Sequence, residues 1–432
     1  MRLLRQGPFA RLFSGSALNA LGTWATLIAL WGYAGVHFHV GAGGIALIGL
    51  TWAAPAAFLS PLAGVPVDRF GPKRVLVGAN IVGVASSLAM AGADSFPVLV
   101  ALALLAGTVE AVGGPAAMAL PARLVDPSDL LAANAMIGAA EQSAIIFGPL
   151  VGSAAIAAGG IRSAFLIDAV TFVIGALAVA SLRVPPLERA SRSDHDIGRP
   201  FRSAWRDMRA GLALARRIDA VRRTLILGLA VFMSWGAFFV LEPLYVRTVL
   251  HRSPALLGLF QTAFGTGLVL ASLVLPRLGD RLVSVRSLAA TVGLSGLAAV
   301  TYVGSQSLPV AFIGVFAWGV DVAFFMAPMQ TLLQRNTPAD AHGRVLALAA
   351  AAEGVGSLVT IPLAGLAVGL IGVSGTGVVI GGAAVAVGTA AWWAATRREH
   401  SMRPGVDGSD GSTAGPADPA EAATSRETTV VG

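Results

Sequence analysis

Five carboxylates interrupt long apolar stretches of this chain: Glu110, Glu141, Asp168, Asp321 and Glu353. A charged acid is costly among some twenty apolar residues, so such a group is protonated, paired or turned toward water. Held that way, a carboxyl group can bind a substrate or take up and release a proton as its surroundings change. Glu110 and Glu141, each well inside its apolar run, lead as proton- or substrate-binding candidates. Asp321 follows as the counterpart of Glu110. Glu353 remains a candidate, although its place near one end of its run favours a structural role. Asp168, in AFLIDAVTF, is read as a packing residue. Asn19 and Gln261 are the uncharged polar groups expected to line a cavity beside these acids. For every one of them the plainer alternative is a hydrogen bond between helices.

Other chemistry has little support. No GxxxxGK[ST], GxSxG or HExxH pattern occurs, so neither ATP use nor hydrolysis is expected, and no cofactor is implied. His37, His39 and His251 lack the i, i+4 pairing of a metal site, and with zero cysteines no metal is expected. Glu242 and Arg247, flanking Pro243, admit an outer gate, but solvated charges at a membrane interface are the preferred reading. Trp24, Trp31, Trp52 and Trp235 suit either substrate stacking or helix packing.

The elements that carry these residues follow from composition. With 55% hydrophobic residues, 12% charged and mean hydropathy +0.75, the chain is an integral membrane protein. The runs are continuous rather than alternating, which specifies helices and not barrel strands. Twelve spans are predicted, near 12–34, 43–67, 74–93, 96–120, 132–158 and 163–183, then 223–249, 255–276, 285–305, 308–333, 343–370 and 374–396. The basic N-terminus MRLLRQGPFARLF leads into a retained first helix, since no small-residue cleavage site follows. With both termini cytoplasmic, Arg162, Arg247 and Arg252 alone fall outside, and the other 27 of 30 basic residues fall inside. A cell-membrane location follows. The net charge of +7 lies in the gaps between runs with no aromatic interleaving, which argues against nucleic acid.

Asp68-Arg69 and Asp280-Arg281 are 212 residues apart, as are Glu141 and Glu353, while Glu110 and Asp321 are separated by 211. The chain is therefore read as two parallel six-helix repeats with a cavity on the axis between them. The domains are 1–183, a cytoplasmic linker 184–222, 223–398 and a polar tail 399–432 expected to be disordered. Within the linker Phe201, Trp205, Met208 and Leu212 recur every three or four residues among arginines, the pattern of an amphipathic helix on the inner leaflet. A flexible linker with incidental aromatics is the alternative.

The charged turn GVPVDRFGPKR organises the first half: Gly71 for a tight turn, Pro72 to stop one helix, Lys73 and Arg74 to hold the next in water. It resembles the loop signature of the major facilitator superfamily, G-x-x-x-D-R-x-G-x-[KR]-R, matched by Gly64, Asp68, Arg69, Gly71, Lys73 and Arg74, with a weaker copy at Asp280-Arg281. AIIFGPLVGS resembles that family's antiporter motif through Gly148, Pro149 and Gly152, with Ala144 and Ser153 in place of glycines. Ordinary small-residue packing is the other reading of that stretch. FARLFSGSALNALG and WRDMRAGLALARRIDAVRRTLIL are similar to the enterobactin-exporter and macrolide-efflux type. Gly107 stands where many proton-coupled members have an arginine, so a relay through that arginine does not carry over.

The resemblance implies an all-α integral membrane protein of twelve helices in two pseudo-repeats. Its hinge loop would gate the cytoplasmic side, the aspartate bracing neighbouring helices when that exit is closed. It implies a secondary transporter, functional as a monomer, exporting a lipophilic or amphipathic drug, antibiotic or siderophore by proton antiport. Its partners are the small-molecule substrate, protons and the bilayer. Uptake of a nutrient, which counterflow would reveal, is the second hypothesis. A non-transporting sensor or scaffold, indifferent to neutralised acids, is the third.

Overall fold

The computed structural model describes residues 3–59, 64–184, 198–338 and 341–401. The first half contains α1 (Gly7–Gly32), α2 (Ala42–Leu59), the short α3 (Gly64–Phe70), α4 (Pro72–Ala91), α5 (Phe96–Ala119), α6 (Leu130–Gly159) and α7 (Ile161–Ala180). After α8 (Gly198–Arg217) come α9 (Asp219–Leu244), α10 (Ala255–Leu278), α11 (Val285–Val303), α12 (Leu308–Arg335) and α13 (His342–Ser401). Gly372, at φ 73°, breaks α13 into two spans. Ten of these pieces are long and apolar enough to cross a membrane, with α13 counted once. Dividing α13 and adding α1, whose Ser16, Asn19 and Thr23 lower its hydropathy, gives the twelve spans expected.

Large apolar side chains such as Leu370, Met118, Leu366 and Leu177 are 67–85% exposed. In water that surface would drive aggregation, whereas lipid is its natural surround. The bundle is held instead by close helix approach through small residues.

The repeat is written into the backbone. Both α1 and α9 end in a π-helical turn, Tyr33–His37 and Tyr245–Val249. The Tyr33 hydroxyl donates to the Ala93 carbonyl at 2.9 Å, and Tyr245, one repeat later, donates to Ser305 at 2.6 Å. His39 and His251 share a left-handed φ of 53° and 51°, as do Gly160 and Gly372 at 78° and 73°. The hinge departs from this rule. Gly71 has φ 83° and starts α4 with Pro72 in its first turn, whereas the second copy turns at Gly279, four residues earlier in register.

The halves meet along α2 with α13 and α6 with α10, and at the end of the bundle far from Gly71. There Trp31 of α1 packs edge-on against Phe239 of α9, and the Arg247 guanidinium donates to the Gly35 carbonyl at 2.6 Å. Gly35 and Arg247 are themselves repeat mates, so this bond sits on the pseudo-two-fold axis. A crevice of only about 20 Å³, lined by Trp31, Gly35, Arg247 and Pro254 among others, remains at that end. Toward the hinge, α5 and α12 make no extensive contact among the described residues. The bundle is closed at its far end and open toward the hinge.

The linker is helical where expected, over Gly198–Arg217. Gly211 and Ala215 pack it on the second half, and Leu212, 41% exposed, points away from that contact. The side chains of Phe201 and Trp205, and the tail beyond 401, lie outside the described residues.

Candidate functional site

A cavity of about 540 Å³ opens in the first half. Its walls come from α1, α2 and α4–α7, so the described site lies on one half rather than astride the axis where it was expected. Asn19 and Thr23, four residues apart, share the face of α1 that borders it, with Trp24 beside them and Trp52 on α2. Gly148 and Gly152 seat α1 against α6. A Cβ at 148 would stand 2.5 Å from Trp24 Cβ, and one at 152 would stand 2.8 Å from Ala25 Cα. The antiporter-like motif is thus a packing surface whose geometry aims the polar face of α1 into the cavity. Pro149 lies inside α6 and frees a carbonyl one turn earlier.

Both leading acids line this cavity. Glu110 Oε1 accepts a hydrogen bond from the Thr23 hydroxyl at 3.1 Å. Glu141 is exposed to the cavity and has no hydrogen bond or ion pair among the described residues. Both residues belong to the lining of the same cavity. Asn19 also lines the cavity, and its Oδ1 is buried without a partner among the described residues.

The remaining candidates lie elsewhere. Asp321, 6% exposed on α12, and Glu353, exposed on α13, do not line this cavity. Neither does Gln261, whose amide donates to both oxygens of Glu242 at 2.9 and 3.1 Å. Glu242 corrects an expectation: it is 3% exposed, not solvated, and also accepts from the Tyr302 hydroxyl at 3.0 Å. The chain could keep an acid there only by supplying donors from α10 and α11, which sequence proximity does not reveal. Arg247 likewise reaches across to Gly35 instead of standing free in solvent. The 212-residue spacing of that pair was the signal that could have found it. Asp168, 2% exposed, accepts from the Ser87 hydroxyl at 2.7 Å in a polar seam between α4 and α7.

At the hinge, Asp68, Arg69 and Arg74 are exposed, Arg69 lies over the Phe70 ring at 5.2 Å, and Lys73 caps the end of α7 by donating to the Leu182 carbonyl at 2.6 Å. In the second copy Asp280 pairs with Arg335 at 2.7 Å, while Arg281 is exposed. A Cβ at Gly107 would lie 2.3 Å from the Thr51 carbonyl, so no longer side chain fits there in this packing.

Two six-helix repeats, a cavity bearing buried-helix acids and one closed end define a multi-pass membrane transporter. The sequence profile of the Major Facilitator Superfamily matches residues 12–246 and 224–422, the matches beginning one repeat apart. The chain belongs to that superfamily. It is 22% identical to macrolide efflux protein A of Streptococcus pyogenes over 74% of this chain and 79% of that protein. It is 28% identical to the lysophospholipid transporter LplT of Klebsiella pneumoniae, over 79% of this chain and 84% of that one. The crystal structure of the nucleoside transporter NupG (D323A mutant) superposes with a TM-score of 0.73 at 12% identity, covering 89% of this chain and 98% of NupG.

Proposed function

We propose that the protein exports a lipophilic or amphipathic small molecule across the cell membrane in exchange for protons. The hinge side is the cytoplasmic side, both termini lie there, and one chain is the working unit. The observation that carries this reading is a half-apolar cavity, open toward the hinge, in which Glu110 and Glu141 face the same space. A carboxyl group in that setting binds either a proton or substrate, and competition between the two for one conformational equilibrium produces coupling. The exposed Asp68 fits a state whose hinge side is open, and the Arg247–Gly35 bond fits a sealed outer side. Relatives named for macrolide efflux and for lysophospholipid transport agree with an amphipathic substrate. Siderophores remain within that class.

The test uses everted membrane vesicles with an imposed pH gradient and a pH-sensitive dye. A macrolide, a siderophore and a cationic dye are added in turn. At least one compound is expected to dissipate the gradient with the native protein and not with Glu110→Gln. If labelled compound moves without any loss of gradient, proton coupling is wrong. If compounds accumulate only in right-side-out vesicles, the direction is wrong.

A further inference from the structure

The linker helix α8 belongs to neither repeat. A single extended residue, Ile218 at φ −101° and ψ 105°, separates it from α9, so the chain changes direction between the two. α8 rests on α9 and α13. A Cβ at Gly211 would lie 3.0 Å from the Arg344 carbonyl in the first turn of α13, and Ala215, 3% exposed, joins an apolar cluster with Val221, Val345 and Ala349. α13 starts shortly after α12 ends at Arg335, the residue tied to Asp280 of the hinge copy. α8 therefore lies across the hinge-side ends of α9 and α13.

Outside that contact the helix has two further faces. Met208 and Leu212, one turn apart, form an apolar stripe in which Leu212 is 41% exposed. Arg209, three residues before Leu212, and Arg216, four after it, flank the stripe on one side, and Arg217 follows; all three are exposed. From Met208 to Arg217 the sequence has these three arginines and no acid. An apolar stripe set between a protein-packed face and a basic face fits the level where acyl chains meet headgroups. The second half marks that level on the same side. Arg286, at the start of α11, lies over the Trp392 ring at 5.5 Å, and Arg397, near the end of α13, lies over Trp393 at 4.9 Å. The break at Gly372 folds α13 into two spans, which returns Arg397 to the side where that helix began. Exposed tryptophan beside arginine at helix ends is the composition of a membrane–water interface.

We infer that α8 is a binding surface for anionic phospholipid headgroups of the hinge-side leaflet, held through Arg209, Arg216 and Arg217 with Leu212 among the acyl chains. The inference stands on the faces of α8 and is independent of export and of proton coupling. A phosphodiester suits these residues because a guanidinium donates two N–H groups to its oxygens, and an anionic headgroup, unlike a zwitterionic one, carries no cation of its own to compete. Because the extensive contacts of α8 are with the second half, the headgroups hold that half at a fixed depth while the first half rocks against it.

The chain has no cysteine, so Leu212→Cys takes a single nitroxide on the full-length protein. The labelled protein is reconstituted in vesicles of phosphatidylcholine alone and of phosphatidylcholine with phosphatidylglycerol at about 3:1. Both leaflets of each vesicle have one composition, so the result does not depend on the direction of insertion. Collision with oxygen against collision with a water-soluble nickel chelate separates immersed from exposed label. The immersed-to-exposed ratio should be about tenfold or more higher in the anionic vesicles, and salt at about 0.5 M should lower it. Arg216→Gln combined with Arg217→Gln should reduce the ratio there by about tenfold or more, at about fivefold for each arginine near a charged surface. Lysine at both positions should restore most of it. A label at Leu363→Cys, a 52% exposed position on α13, should stay in lipid throughout and shows that the bundle is inserted in every variant. Equal immersion in the two vesicle types, unmoved by the glutamine pair, would overturn the headgroup contact and leave apolar contact alone. A lysine pair that behaves as the glutamine pair would overturn the charge argument. A label that reads water in both vesicles would refute the surface as a lipid site and leave an acidic protein segment as its occupant.

Discussion

Replacing Arg247 with alanine should unlock the far end of the bundle. The guanidinium donates to the Gly35 carbonyl at 2.6 Å, across the two halves and on their axis, so the bond exists only while that end is closed. A hydrogen bond from a charged donor contributes about 1.5–3 kcal/mol when well buried, and this one, at a partly exposed mouth, belongs at about 1.5 kcal/mol. That corresponds to a shift of about tenfold in the ratio of far-end-closed to far-end-open molecules. The chain contains no cysteine, so spin labels can be placed without removing any native residue. Cysteines at Met118 on α5 and Gln330 on α12, both exposed near the hinge ends, report that side by pulsed electron spin resonance. Opening the far end must bring the hinge ends together, so the short-distance population should rise about tenfold relative to the long one in Arg247→Ala. A distance distribution unchanged by the substitution would refute the latch. A shift toward longer distances would reverse its sign.

Two further perturbations probe the same scaffold. Gly258→Ala places a Cβ 2.3 Å from the Pro149 carbonyl and 1.9 Å from Ser153 Oγ, so the α6–α10 contact should lose about 1–3 kcal/mol, and the same spin-label pair should report a larger far-end-open population. Tyr302→Phe removes one of the donors to Glu242, which should lower thermal stability by about 1–2 kcal/mol. Because Tyr302 does not line the cavity, transport of a compound identified in the vesicle screen should persist, and loss of that transport in a variant that stays folded would place Glu242 in the transport path.

Most of the architecture was legible because lipid imposes simple rules. Spans predicted at 285–305, 308–333 and 255–276 are found at Val285–Val303, Leu308–Arg335 and Ala255–Leu278. Boundaries slipped where charge is tolerated inside a helix. α9 starts at Asp219, four residues early, because Arg222 and Arg223 both pair with that aspartate. α1 starts at Gly7 because Arg11 reaches back to the Gly7 carbonyl and across to Ser181 while its helix continues. The 212-residue period, visible in a few acids, reappears in φ angles and tyrosine bonds that no side-chain pattern announces. Of the six polar candidates, Glu110, Glu141 and Asn19 border one cavity, and they were visible beforehand because polar groups in apolar runs are conspicuous. Glu242 was misjudged, and Gln261 misplaced with it, because a buried acid is satisfied by partners 19 and 60 residues away that hydropathy does not see.

Proton coupling is the claim on which the account depends, and its reciprocity gives the most direct measurement. The purified protein is placed in liposomes containing a pH dye, with no pH gradient, and an outward gradient of a compound identified in the vesicle screen. Efflux of that compound should by itself drive protons inward and acidify the lumen, since each ligand must move the other. Glu110→Gln should pass the compound without moving the dye. Compound efflux through the native protein at constant internal pH would contradict the account.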